Sequence, residues 1–176
     1  VDRAIPKLRQ AGVDIQNLRK AQTAKEPLPG GRNWPLDDKL ASLEQEILQT
    51  SLGTLNEEQV SHLIRTYGTR AIELATLCQL DPNLSQRISA DRPEVMAQIV
   101  FGIQNEWATT ISDILIQRTQ LFYKQTDQAL GAIEKVADFM ATLLSWTPEE
   151  KQKQIRHYRH DVEQSRQWQS GFPGLN

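Results

Sequence analysis

Apolar residues recur at three- and four-residue intervals along most of this chain, and they do not alternate over any useful length. Leu40, Leu43, Ile47 and Leu48 give one apolar face to a helix over residues 37–50. Val60, Leu63, Ile64 and Tyr67 do the same for a helix that opens at Asn56, with Gln59 in the reciprocal capping position. Gly68 is expected to close that helix in a left-handed cap. A short helix over 70–79 carries Ile72, Leu74, Ala75 and Leu77, and Asp81-Pro82-Asn83 turns the chain. Pro93 suits the first turn of a helix with Val95, Ile99, Val100 and Ile103, bending near Asn105. A twelve-residue helical stretch then runs from Trp107 to Arg118, with Trp107, Ile111, Ile114 and Leu115 as its core face.

Residues 127–144 carry a wide apolar stripe through Ala129, Ile133, Val136, Ala137, Met140, Leu143 and Leu144. Thr147-Pro148-Glu149-Glu150 joins a cap, a proline at the first helical position and an acid at the third, and opens a last helix to about Gln167. At the other end, residues 2–11 read as a helix with Ile5 and Leu8 on one face, Pro6 near its first turn and Gly12 as its stop. β-branched runs such as Ile99-Val100-Phe101 fall inside helical periods. The pattern predicts an all-α fold, a single compact bundle of about seven or eight helices.

Between the first two helices, Ala21 to Pro35 reads as a loop. Pro27-Leu28-Pro29-Gly30-Gly31 is rigid and then flexible, and Trp34 precedes a proline. The expected organisation is an N-terminal helix and linker over 1–35, a helical domain over 36–168 and a disordered tail over 169–176. The chain opens on Val1-Asp2-Arg3 without a methionine, which reads as a piece of something longer.

Composition narrows the function. Twenty Lys and Arg against 22 Asp and Glu leave a net charge of -2, so no global basic field draws the chain to nucleic acid. No apolar run approaches the roughly 20 residues of a membrane span. Cys78 is the single cysteine, which excludes an internal disulfide framework and fits a reducing, cytoplasmic setting. It lies among Leu74, Ala75 and Leu77 and reads as a small buried hydrophobe.

Candidate chemistry is sparse. His157, His160 and Asp161 have the spacing of zinc ligands on one helical face, but Lys151, Lys153, Arg156 and Arg159 crowd that helix and oppose a cation. Asp81-Pro82-Asn83-Leu84-Ser85 begins like a calcium loop, yet Gln86 stands where glycine is needed and Arg92 where the bidentate acid belongs. Gly30-Gly31 lacks the spacing of a phosphate loop. His62 has no evident nucleophile beside it. Arg65, Glu106, Asp113 and Arg118 flank apolar faces, so an acid–base pair locking helix to helix is expected there, and the same charges could meet a neighbouring domain.

Four blocks, in order, carry a resemblance. They are Pro27-Leu28-Pro29-Gly30-Gly31, then Arg65 with Tyr67-Gly68, then Glu106-Trp107 with Asp113 and Arg118-Thr119, then Trp146-Thr147-Pro148-Glu149-Glu150. Together they resemble the C-terminal helical domain of FAD-dependent glycerol-3-phosphate dehydrogenases and the related alpha-glycerophosphate oxidases. The family usually has two arginines before the threonine, and here Gln117 replaces the first. Its cysteine before the linker is absent, with Gln22 and Thr23 in that region.

The resemblance implies a parent enzyme that binds FAD and oxidises glycerol 3-phosphate to dihydroxyacetone phosphate, with electrons passing to quinone or oxygen. It puts the flavin and catalytic residues on a domain upstream of Val1 and leaves no catalytic, cofactor or metal residue here. Arg65, Tyr67, Gly68, Glu106, Trp107, Asp113, Arg118 and Thr119 would then form a structural or interdomain network. The implied partners are the chain's own FAD domain, a second copy in a homodimer, and a membrane face touched by the parent, with no nucleic acid. A free-standing helical adaptor that binds a partner protein is the rival reading.

Overall fold

The computed structural model describes residues 4–14, 22, 24–35 and 39–170, with side chains as far as 168. Among them are eight α-helices: α1 (Ile5–Gln10), α2 (Leu40–Thr50), α3 (Glu57–Tyr67), α4 (Ala71–Leu80), α5 (Ala97–Glu106), α6 (Leu121–Lys124), α7 (Ile133–Leu144) and α8 (Pro148–Ser170). A π-helix covers Asp113–Arg118, and short 3₁₀ turns join several of the others. The one β pairing among the described residues is an isolated bridge between Arg87 and Val95. The all-α expectation holds, and so does the number of helices.

The core forms where the apolar stripes meet. α2 packs on α3 and α4, α5 on α4 and the π-helix, and α7 on α8. Ile47, Leu63, Leu74, Ile99, Ile111, Ile114, Leu115, Leu121, Ile133, Met140 and Tyr158 are wholly enclosed. Each such aliphatic side chain contributes roughly 1.5–3 kcal/mol of burial. Of the four apolar residues expected on α2, Leu43 and Ile47 are buried, while Leu40 and Leu48 are half-buried against the core. α1 buries nothing, and its Leu8 is exposed.

Several boundaries follow the capping chemistry. The Asn56 side chain accepts from the Gln59 amide at 2.9 Å, and the Asn56 amide donates to the Gln59 side chain at 3.0 Å. The Glu150 amide donates to the Thr147 hydroxyl at 3.2 Å, opening α8 where expected. That helix continues through Ser170, so it covers the first two residues assigned to a tail; 171–176 lie outside the described residues.

Three expected helices start or stop elsewhere. α5 begins at Ala97, not at Pro93, because the backbone before it pairs differently. Ile88 N–H donates to the Glu94 carbonyl at 2.8 Å, Met96 N–H to the Gln86 carbonyl at 2.9 Å, and Val95 N–H to the Gln98 side chain at 2.9 Å. α7 begins at Ile133, not at 127, because Gln128 and Ala129 have φ of 56° and 59°, which no right-handed helix can contain. Asp127 fixes that bend by accepting from the amides of Ala129 and Gly131 at 3.0 and 2.8 Å. The stretch from Trp107 to Arg118 is not one helix. α5 ends at Glu106, Trp107 turns into the left-handed region, and helical structure resumes only after Thr110.

Candidate functional site

The first cluster lies where α3 ends. Tyr67 is buried with its ring edge-on to Phe101, centroids 5.1 Å apart at 71°. Its hydroxyl accepts from the Gln98 side chain at 3.3 Å, and burial pushes its pKa up to about 12. Gly68 follows with φ 63° and ψ -138°, so the expected left-handed cap is replaced by a conformation open essentially to glycine. The cause is a backbone crossing. Gly30 is buried against Gly68, and a Cβ on Gly68 would stand 2.1 Å from the Gly30 carbonyl oxygen. Thr69 fastens the crossing. Its amide donates to the Gly30 carbonyl at 2.9 Å and its hydroxyl to the Arg32 carbonyl at 2.9 Å. The segment Gly30–Arg32, expected to be flexible, is therefore docked on the helical body. Arg65 in the last turn of α3 is exposed, and Arg70 lies 4.5 Å over the Phe101 ring.

The second cluster starts at Glu106. The Arg118 guanidinium donates to the Glu106 carbonyl at 2.6 Å and stands 3.2 Å from its carboxylate, so one side chain caps α5 and makes the ion pair expected here. Both partners are about one-third exposed or less, at 32% and 27%, so the pair is only partly withdrawn from water. Asp113 does not join it through a contact. It accepts from the amides of Thr109 and Thr110, both at 2.9 Å, and its own amide donates to the Thr110 hydroxyl at 3.0 Å. Burial would raise its pKa, but these hydrogen bonds outweigh burial and hold it below its usual value. Thr119 is buried, and its amide and hydroxyl both return to the Ile114 carbonyl, at 2.9 and 2.8 Å, which closes the π turn.

Trp107, expected on the core face, is instead 90% exposed. The reason is its backbone. At φ 60° and ψ 28° it reverses the chain, and Ala108 rather than Trp107 enters the core.

A third cluster lies outside the expected network. Glu94 is wholly buried, with Lys124 at 2.8 Å, Arg92 at 3.5 Å and His62 at 3.8 Å. Lys124 also donates to the Thr119 carbonyl at 2.8 Å. His62 has its pKa lowered, chiefly by burial, with Glu94 pulling the other way. Thr119, singled out in the sequence, thus lies at the edge of a polar cluster centred on the buried Glu94. A glutamate directly before the buried run Val95-Met96-Ala97 was the available signal.

The remaining candidates stay apart. Among the described residues no group of three or more His, Cys, Asp or Glu could share a metal ion, and His157 stands 3.9 Å from Asp161. Cys78 is buried, and burial raises its pKa to about 12, far from a reactive thiolate. A Cβ on Gly30 or on Gly68 would meet backbone of the other segment of this crossing, at Tyr67 and Gly30 respectively. No helix among the described residues is long and apolar enough to cross a membrane.

The described residues thus form an all-α body with one docked linker and an aromatic displayed at a helix end. The profile described as the C-terminal domain of alpha-glycerophosphate oxidase matches residues 21–151, and the chain belongs to that family. It is 31% identical over 165 residues to a glycerol-3-phosphate dehydrogenase of Synechocystis sp., covering 94% of this chain and 28% of that protein. It is 28% identical over 144 residues to the probable mitochondrial glycerol-3-phosphate dehydrogenase of Dictyostelium discoideum, covering 82% and 21%. The mitochondrial glycerol-3-phosphate dehydrogenase of Homo sapiens is 28% identical over 155 residues, covering 85% and 20%. The chain thus spans between a fifth and somewhat over a quarter of the length of these relatives.

Proposed function

We propose that this chain is the C-terminal helical domain of an FAD-dependent enzyme that oxidises glycerol 3-phosphate to dihydroxyacetone phosphate and passes the electrons to quinone. The observation that carries the proposal is the family match over residues 21–151 together with the names and the coverage of the relatives. The domain has a structural role. It binds no flavin itself, and its network of Arg65, Tyr67, Gly68, Glu106, Trp107, Asp113, Arg118 and Thr119 serves packing and interdomain contact. The catalytic groups belong to the flavin domain. The same reading places the parent enzyme in the cytoplasm, with peripheral contact at the inner membrane face and a homodimeric state. Expression of the full-length polypeptide and of this chain, each assayed for bound flavin and for dye reduction driven by glycerol 3-phosphate, tests it. Activity in the longer protein is expected, and activity in the 176-residue chain alone would overturn the structural role.

A further inference from the structure

Trp107 combines two features that this chain does not use. Its backbone is left-handed, a conformation in which a helix-ending glycine or asparagine costs little and a tryptophan costs more. Its side chain is 90% exposed, the most exposed of the large hydrophobic residues described. Neither feature comes from a loose loop. Ala108, directly after it, is buried and donates its amide to the Gly102 carbonyl at 3.0 Å. Glu106, directly before it, has its carbonyl held by Arg118 at 2.6 Å. The backbone on both sides of the indole is thus held, and an aromatic side chain with only two χ angles to order loses little entropy on binding, which is the physical basis of an interface anchor.

The occupant follows from the docked linker. Pro29, Gly30, Thr66, Tyr67, Gly68, Arg70 and Glu106 line one depression of about 220 Å³. The segment at Gly30 therefore reaches the body beside Glu106, the residue directly before Trp107. A domain joined through that segment is delivered to this face at high effective concentration. The relatives carry most of their length outside the matched region, 72% or more if 28% is covered at most.

We propose that Trp107 is the anchor by which this domain seats on the flavin-bearing part of its own polypeptide, filling an apolar recess there. The proposal rests on the function proposed above. Hydroxyl-radical footprinting with mass spectrometry reads Trp107 directly, in the 176-residue chain and in the full-length protein. Labelling of Trp107 is expected to fall roughly tenfold in the full-length protein, as for a fully desolvated anchor. Equal labelling in the two proteins would overturn the proposal.

Trp107→Gly gives a second, signed readout. It relieves the backbone and raises the melting temperature of the 176-residue chain, but it lowers that of the helical domain in the full-length protein. A rise in both proteins would overturn the anchor. The flavin absorbance of the same full-length sample separates the two claims. A yellow, active protein with Trp107 fully labelled removes only the anchor. A colourless, inactive protein removes the proposed function, and with it a flavin-bearing seat.

Discussion

Glu94 and Lys124 meet at 2.8 Å across 30 residues of chain, and the carboxylate is wholly hidden from solvent. Lys124 uses a second hydrogen bond, to the Thr119 carbonyl, to bind the end of the π-helix to the same point. An isolated buried charge is costly, whereas this one has two cations and a histidine around it.

Glu94→Gln removes the anion and leaves Lys124 and Arg92 without their counter-charge. The expected loss is about 1–3 kcal/mol, because Lys124 and Arg92 keep 29% and 30% of their side chains in water and are partly rehydrated. Urea denaturation followed by circular dichroism measures it. Adding Lys124→Met should recover part of the loss, and a double variant no better than the single one would mean that the cluster is not held by this pair.

Gly68→Ala asks a different question, because its Cβ would collide with the Gly30 carbonyl. The chain can relieve that clash by releasing the docked segment instead of unfolding. Global stability should fall by about 1–3 kcal/mol, in the range for strained backbone positions. The Thr69 amide, which bonds to Gly30, should lose its protection from hydrogen exchange far more than the amides of α4. Uniform loss across the domain would show that the crossing is part of the global fold rather than a separable joint.

Asp113 predicts a pH dependence of known sign. Its folded-state pKa lies below the usual 3.8, so the folded state favours the carboxylate. The stability it contributes is complete above pH 3.8 and disappears as pH falls through the lower folded value. Asp113→Ala should cost about 1 kcal/mol at neutral pH, as for a lost helix cap. The difference from the parent chain should shrink on acidification, in thermal melts recorded across that window.

Legibility in the sequence tracked how local the cause was. The Asn56/Gln59 box and the Thr147-Pro148 start act within one turn, and both were readable. Thr110-Ile111-Ser112-Asp113 has the same form and marks the restart of the helix, but an apolar period running from Trp107 to Leu115 hid it. Trp107, Gln120, Gln128 and Ala129 all take positive φ without being glycine, so residue preference gave no warning of the breaks. Tertiary contacts hold them there, as the buried Ala108 and Ala129 show. Gly30 and Gly68 each read as local punctuation in the sequence, and their meeting is a long-range fact. The pairing of Glu94 with Lys124 lies equally beyond any spacing rule.

The central claim is that this helical domain serves a flavin enzyme acting on glycerol 3-phosphate while supplying none of its chemistry. The most direct measurement is the visible spectrum of the full-length protein under anaerobic conditions, before and after glycerol 3-phosphate is added, beside the 176-residue chain treated identically. The account predicts a yellow full-length protein whose flavin band bleaches with substrate, and a colourless chain that does not respond. A full-length protein without flavin, or one whose flavin ignores glycerol 3-phosphate, would contradict it.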